Sequence, residues 1–185
     1  MSRCIETRRC RQDCEMTKHG RLREFQESLA ARLREAASEP ASGSRLGFHS
    51  GARNWLLKLE DAGEIVPLPE VTPVPLTRPW FLGLANVRGT LVSVVDLALF
   101  AGEAATQRTP ESRLVLAPER FQVRAGLLVD RMLGLRAVQQ MGSAGNDPTG
   151  VPWMGAAWRD ENGQTWHELD MQGLVNNNEF LQAGA

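Results

Sequence analysis

The sequence lacks a large excess of one charge, a long apolar run and any cysteine beyond residue 14. A formal net charge of −1 gives no global positive field that would attract nucleic acid or anionic lipid, so protein partners are favoured. No run approaches the roughly 18 apolar residues that a membrane span requires, and charged residues stand where a signal peptide has its apolar core. These absences predict a cytoplasmic protein that binds no nucleic acid and does not insert into a membrane.

The three cysteines, Cys4, Cys10 and Cys14, all lie near the N-terminus. They cannot cross-link the body of the chain to itself, so a disulfide-stabilised secreted fold is not expected. Together they would need a fourth ligand from elsewhere to hold a metal ion. Unpaired thiols are the simpler interpretation, and no metal site is predicted.

Candidate catalytic groups are few and scattered. The histidines, His19, His49 and His167, show no metal-ligand spacing and are interpreted as ordinary surface or strand residues. The acidic pairs Glu60-Asp61 and Asp160-Glu161 have no histidine or arginine in register, which favours solvated turns over an acid–base dyad. The glycines also lack the Lys-Ser/Thr ending of a phosphate loop. We therefore expect no catalytic residues, no cofactor and no enzyme activity.

The first 44 residues divide into three predicted segments. Residues 1–15 have no apolar period and are expected to form a disordered lead. Between residues 16 and 37, apolar side chains recur at three- and four-residue steps, which predicts an amphipathic helix. Its apolar stripe comprises Leu22, Phe25, Leu29, Leu33 and Ala36. Residues 38–44 contain a proline and small side chains, which predict a linker.

From residue 45 the apolar period changes to an alternation that is typical of β-strands. Leu46 and Phe48 alternate first, and Trp55, Leu57 and Leu59 follow. Turn signals then separate segments of about five to eight residues, the usual length of a strand. The pattern predicts a mainly β body, built as barrels or as a sandwich.

The later part of the body carries three local signals. Asn162-Gly163 favours a hairpin turn between two tryptophan-bearing strands, and residues 141–150 are rich in turn-forming residues, which predicts a mobile loop. Asp170 is the predicted N-cap of a short C-terminal helix. Residues 178–185 are expected to form a frayed tail.

The most informative stretch runs from Pro75 to Gly102. Pro79 fixes its own φ and restricts the residue before it, so the chain is steered at this point. Trp80–Leu82 can be interpreted as core residues or as exposed contacts, and the core is favoured. Residues 90–95 are β-branched or apolar almost throughout, which predicts a strand covered on both faces. Asp96 ends this run with a carboxylate.

Arg88 occupies an unusual position within that stretch. It lies between two turn-forming residues, Asn86 and Gly89, so its side chain is expected to project from a fixed backbone. Rigid arginines are good interface anchors. Glu64 comes 24 residues earlier, and a contact between the two would orient the guanidinium. A structural salt bridge without a partner is the alternative interpretation.

Two motifs in this stretch, Asn86-Val87-Arg88-Gly89 and Val94-Val95-Asp96-Leu97, resemble the signature of the CheW family, the adaptor proteins of bacterial chemosensory arrays. Ala62-Gly63-Glu64-Ile65 resembles the family's glutamate motif, and residues 127–135 resemble its later Val-Asp block. Ser93 departs from the family pattern, which commonly has a proline there. The resemblance covers roughly residues 45–177.

Residues 72–83 are most similar to the PilI-like branch of the family, which serves type IV pilus (twitching motility) systems. The resemblance implies a pair of small five-stranded β-barrels around a shared core. The N-terminal amphipathic helix and the short C-terminal helix, expected from periodicity and capping, complete the predicted fold. It implies a non-catalytic adaptor that couples a methyl-accepting chemoreceptor to a CheA-type histidine kinase. The adaptor would be recruited to membrane-associated receptor arrays.

The resemblance also implies where the partners bind. The kinase's regulatory domain would dock on barrel surfaces, and the cytoplasmic tip of the receptor would enter a groove between the barrels. The residues implied for partner binding are Glu64, Asn86, Val87, Arg88 and Gly89. A small OB-like barrel that binds nucleic acid would show similar short strands and glycine turns, but the net charge of −1 argues against it.

Overall fold

The computed structural model describes residues 43–146 and 150–184. The predicted disordered lead, the predicted amphipathic helix and residues 38–42 of the predicted linker lie outside the described residues. Among the helices within them, none combines the length and the apolar character needed to cross a membrane.

Twelve strands and three short α-helices form this part of the chain. The strands are β1 (Ser44–Ser50), β2 (Arg53–Lys58), β3 (Ile65–Pro67), β4 (Val71–Thr72), β5 (Phe81–Val87), β6 (Thr90–Asp96), β7 (Arg113–Leu116), β8 (Ala125–Val129), β9 (Arg131–Ala137), β10 (Gly142–Asn146), β11 (Met154–Arg159) and β12 (Thr165–Leu169). The helices are α1 (Leu97–Phe100), α2 (Met171–Val175) and α3 (Asn178–Leu181). Short 3₁₀ turns lie at Leu59–Asp61, Glu119–Phe121 and Val138–Gln140.

The strands form two sheets, which confirms the prediction of a mainly β fold. The first sheet has the order β10-β11-β12-β2-β1-β9, and the second has the order β3-β7-β8-β6-β5-β4. Neighbouring strands are antiparallel, except that β12 and β2 are parallel, as are β6 and β8. Each sheet contains six strands within the described residues, one more than each predicted barrel.

The predicted alternation along β1 and β2 is confirmed up to Leu57. Phe48 pairs with Trp55, and Leu46 pairs with Leu57, and all four side chains are buried. Leu59 leaves the pattern because it belongs to the following 3₁₀ turn, where it is 37% exposed. Because successive side chains of a strand point to opposite faces, these alternate residues place one face of the first sheet against the core.

The main apolar core is shared by the two sheets. It includes Phe48 and Trp55 from the first sheet, Val95 and Leu127 from the second, and Met171 from α2. Because both sheets contribute side chains to this core, the core joins the two sheets. Burial of apolar surface on this scale is the dominant favourable contribution to folding.

Each sheet also has an apolar cluster on its other face. Leu56 packs with Trp166 in the first sheet, and Val94 lies in a separate cluster of the second sheet. Its neighbour Val95 belongs to the shared core, so β6 is covered on both faces as predicted. The beginning of β6 differs, because Leu91 is 56% exposed.

Trp80 is a core residue, as the favoured interpretation had it. It is 6% exposed, meets the edge of the Phe100 ring at 5.1 Å between centroids and stacks on Phe180 at 6.4 Å. Phe100 also contacts Trp153 at 5.3 Å. Aromatic pairs at these distances add to the free energy of area burial.

The predicted short C-terminal helix is confirmed as α2. A second helix, α3, follows it and was not predicted. The Asp170 carboxylate accepts a hydrogen bond from the Gly173 N–H at 3.1 Å, as an N-cap should. The expected fraying from residue 178 is wrong through Leu181, since α3 is capped by Asn177 and buries Phe180. The physical reason is the aromatic contact with the core, which sequence periodicity over four residues does not reveal.

The predicted mobile loop over residues 141–150 is wrong in its first half. Residues 142–146 form β10, which pairs with β11 through Gly142 opposite Arg159 and Ser143 opposite Trp158. Pairing with a neighbouring strand outweighs the low β propensity of glycine and asparagine here. Residues 147–149 lie outside the described residues.

Candidate protein-docking site

The β5–β6 hairpin presents Arg88 at its tip. Val87 and Thr90 form the last pair of the hairpin, so Arg88 and Gly89 make a two-residue turn. Their φ angles are +50° and +85°, and two positive values define the type I′ geometry that suits the twist of a hairpin. The Asn86 Oδ1 accepts a hydrogen bond from the Gly89 N–H at 2.7 Å. The backbone beneath Arg88 is therefore fixed, as the sequence predicts.

Arg88 and Glu64 form an ion pair. The Arg88 Nη2 lies 2.5 Å from the Glu64 Oε1, and the two side chains are 79% and 38% exposed. Glu64 is itself held at the start of β3, where its carbonyl accepts a hydrogen bond from the Leu116 N–H at 2.9 Å. An ion pair this exposed contributes about 0–1 kcal/mol to stability. Its main effect is to orient the guanidinium.

The conformation of Arg88 works against stability. A residue with a Cβ in the left-handed region costs roughly 1–2 kcal/mol, and asparagine or glycine is the usual choice at this turn position. Arg88 adopts it with φ of +50° while its side chain remains 79% exposed. Strained residues of this kind concentrate at functional sites, which marks the tip as a candidate for binding.

A groove of about 750 Å³ opens beside the ion pair. Of the residues implied for partner binding, Glu64, Val87 and Arg88 line it. Asn86 instead lines a smaller neighbouring groove of about 420 Å³, and its role here is to hold the turn. Gly89 lies at the tip of the turn. The structure thus brings the five residues together around one hairpin, with three of them facing the same groove.

One wall of this groove was missed by sequence reasoning. It is the connection from β7 to β8, whose Glu119, Gln122 and Arg124 line the groove. Gln122 has φ of +55°, so a second residue with a Cβ adopts a left-handed conformation beside Arg88. The proline at position 118 is typical of a turn, but the sequence carries no local signal that this turn faces Arg88.

Comparison with known proteins identifies the family. Residues 45–179 match the family model for the CheW-like domain. The chain belongs to this family. The resemblance seen in the motifs around Arg88 and Asp96 is thereby confirmed.

Two relatives are similar in sequence to this CheW-like domain. It is 36% identical to PilI from Pseudomonas aeruginosa over 110 residues, 58% of this chain and 60% of PilI. It is 32% identical to a chemotaxis protein CheW from Thermotoga maritima over 95 residues, 51% of this chain and 62% of that protein. The chain thus spans somewhat over half the length of these relatives.

The fold is similar to the crystal structure of scaffolding protein TtCheW from Thermoanaerobacter tengcongensis. The TM-score is 0.61 at 18% sequence identity, and the match covers 74% of this chain and 94% of that one. At this identity the likeness establishes the fold. It agrees with the two packed sheets of the CheW-like domain.

Asp61 corrects one expectation about the acidic pairs of the CheW-like domain. The expectation of a solvated turn at Glu60-Asp61 is wrong for Asp61, which is only 8% exposed. Its carboxylate pairs with the Arg120 guanidinium. Burial raises the pKa of the Asp61 carboxyl, and the nearby Arg120 charge opposes that rise. The arginine comes 59 residues later, so a search for partners in register could not find it.

The pKa of Asp160 shifts in the opposite direction from that of Asp61. The Asp160 carboxylate accepts hydrogen bonds from the backbone N–H groups of Asn162 and Gln164, each at 2.9 Å, and from the Trp166 Nε1 at 3.0 Å. These bonds hold the pKa of the Asp160 carboxyl below its usual value, and the bond from Trp166 contributes most to the lowering. The residue organises its own loop.

The histidines of the described body have structural neighbours. The His49 Nδ1 lies 3.0 Å from the Asp130 Oδ2, which also accepts a hydrogen bond from the Gly51 N–H at 2.9 Å. His167 packs beside Trp55, with 5.9 Å between ring centroids. Across residues 43–146 and 150–184, no group of three or more His, Cys, Asp and Glu side chains is arranged to hold a metal ion.

Proposed function

We propose that this CheW-like domain is a non-catalytic chemosensory adaptor that couples a methyl-accepting chemoreceptor to a CheA-type histidine kinase. Family membership supports an adaptor role. The similarity to PilI supports an output in a type IV pilus system that drives twitching motility. In this proposal residues 45–177 form the adaptor domain, and the protein is recruited to membrane-associated receptor arrays.

The presentation of Arg88 is the observation that carries the proposal. A strained two-residue turn holds its backbone, and Glu64 holds its guanidinium while leaving the side chain 79% exposed. Arginines that are oriented before binding lose little conformational freedom in a complex, and they are enriched among residues that dominate binding energy. We therefore assign Arg88 as the anchor, with Glu64, Asn86, Val87 and Gly89 supporting it.

The adaptor acts by geometry. It docks the regulatory domain of the kinase on its sheet surfaces and accepts the cytoplasmic tip of the receptor in a groove. Because it holds both partners in a fixed arrangement, a small change in the receptor alters the contacts available to the kinase. Differential contacts of this kind shift the balance between kinase states without any chemical step in the adaptor.

The alternative of an OB-like nucleic-acid binder gains no support from the aromatic residues. Binding of single strands relies on exposed aromatic side chains on which bases stack. Trp55, Trp80 and Trp153 are instead at most 6% exposed and lie in the shared core, and Trp166 is buried in the cluster on the other face of the first sheet. We retain the adaptor as the proposed function.

Calorimetric titration tests the proposal. The full chain is titrated with the regulatory domain of the CheA-type kinase from the same cell and, separately, with a cytoplasmic tip fragment of the receptor. We expect Arg88→Ala to raise the Kd for at least one partner by about tenfold or more. Its Tm should stay within about 3 °C of wild type, since the side chain is exposed.

Arg159→Ala is the matched control, because Arg159 is also exposed but lies at the end of β11 in the first sheet. It should leave both affinities unchanged. Well-folded wild type that binds neither partner would overturn the proposed function. Equal losses in the two variants would show that Arg88 contributes only general charge.

A further inference from the structure

The groove beside Arg88 has one wall made of a loop. Residues 117–124 connect β7 to β8 and contribute to the groove together with Arg88 and Glu64. Backbone hydrogen bonds secure both ends of this loop. The Ala117 N–H donates to the Ala125 carbonyl, and the Ser93 N–H donates to the Arg124 carbonyl, both at 2.9 Å. The middle of the loop forms the 3₁₀ turn Glu119–Phe121, and Phe121 and Val123 pack against the main core.

Arg120 links the middle of the loop to a separate segment. Its guanidinium pairs with the Asp61 carboxylate and lies 4.8 Å from the centroid of the Phe121 ring. Asp61 ends the 3₁₀ turn that precedes β3 and comes three residues before Glu64. The ion pair therefore joins the loop wall to the segment that carries the partner of Arg88.

Stability does not account for this pair. Asp61 is 8% exposed, and burial raises its pKa because the charged form is poorly solvated there. The side chain of Arg120 remains 47% exposed, so its attraction is partly screened. Pairs of this kind are weak evidence for stability, and in some proteins they instead fix one arrangement of the chain.

We propose that Arg120 and Asp61 are positioning residues of the groove, whose pairing holds residues 117–124 in place relative to Arg88. In the described part of the chain, neither side chain lines the groove itself, so the effect on binding is indirect. A groove that is formed before binding spares the partner the free-energy cost of ordering the loop. This inference rests on the proposed adaptor function.

Hydrogen exchange tests the positioning without any partner. The Gln122 N–H donates to the Glu119 carbonyl at 2.9 Å, so its exchange rate reports on the order of the loop. Arg120→Ala is expected to speed exchange at Gln122 by about tenfold, and Asp61→Asn should do the same. Arg45→Ala, which removes an ion pair with Glu168 in the first sheet, should leave that rate unchanged.

A double-mutant cycle tests the consequence for binding. Titration with the kinase regulatory domain and with the receptor tip fragment compares Arg120→Ala, Asp61→Asn and the double variant. We expect each single change to raise the Kd for the partner that uses the groove by about tenfold. The double variant should lose no more than either single one. Arg120→Lys should recover part of the affinity, because it keeps the charge without the planar fork.

The two measurements separate the possible failures. Unchanged exchange at Gln122 in Arg120→Ala would overturn the positioning role, whatever the affinities. Additive losses in the cycle would overturn it too, since they would mean that the residues act independently. Wild type that binds neither probe would overturn the proposed function, and exchange would still decide whether the pair of Arg120 and Asp61 holds the wall.

Discussion

The two hairpins β5–β6 and β11–β12 use their loops in opposite ways. In β11–β12, the Asp160 carboxylate accepts three hydrogen bonds from within the hairpin. In β5–β6, the charged residue of the turn is Arg88, which adopts a left-handed conformation and remains 79% exposed. One loop thus uses its charge to satisfy its own backbone, while the other directs its charge outward.

The difference separates a structural loop from a proposed docking loop. A polar side chain that bonds to its own loop contributes to folding and has little capacity left for a partner. A side chain that is oriented but exposed contributes little to folding, because a surface ion pair is worth about 0–1 kcal/mol. Substitutions should therefore separate into those that change stability and those that change binding, according to the hairpin they affect.

The largest effect should come from Arg88→Asn. Asparagine tolerates the left-handed region, so relief of strain offsets the lost ion pair with Glu64, and stability should stay within about 1 kcal/mol of wild type. Affinity for the partner that Arg88 anchors should fall about tenfold or more. Denaturant unfolding and calorimetric titration measure the two quantities. A large loss of stability would break the comparison, since it would make the β5–β6 turn structural as well.

A pair of glycine substitutions should have an intermediate effect. Gly89 and Gly163 have φ angles of +85° and +77°, and an added Cβ would meet no atom within 4 Å at either position. Alanine at each should therefore cost about 1–2 kcal/mol of stability through backbone strain alone. Only Gly89→Ala should also weaken partner binding, because it disturbs the turn beneath Arg88. Equal affinities for the two variants would count against the docking role of the first hairpin.

Sequence reasoning succeeded where the physical rule acts over a few residues. The burial of Phe48 and Trp55 follows from an alternation of period two, and the Asp170 cap follows from a side chain that bonds to the next helical turn. The fixed backbone at Arg88 follows from its neighbours Asn86 and Gly89. Each of these depends on contacts within about ten residues, which spacing in the sequence encodes directly.

It failed where distant segments decide the structure. Asp61 and Arg120 are 59 residues apart, so neither the burial of the carboxylate nor the groove wall could be inferred from spacing. Phe180 is buried by aromatic contacts with Trp80 and Phe100, which converts an expected tail into a helix. The sequence therefore predicted the exposed Arg88 on its fixed turn, but it did not predict the opposite wall of the groove.

The smallest expected effect concerns Asp160 and pH. Its pKa in the folded protein lies below the usual 3.8, so the unfolded chain binds a proton at a higher pH than the folded one does. The resulting stability is present above that usual value and is lost as pH falls through the lowered pKa. Asp160→Asn has no carboxyl to titrate, so the stability difference between wild type and this variant should shrink as the solution is acidified. Denaturant unfolding of both proteins on each side of 3.8 measures this difference directly, and the other carboxyls cancel because both chains contain them. A stability difference that stays constant across that range would show that the Asp160 hydrogen bonds do not favour its charged form. The charge of Asp160 would then not stabilise the β11–β12 hairpin.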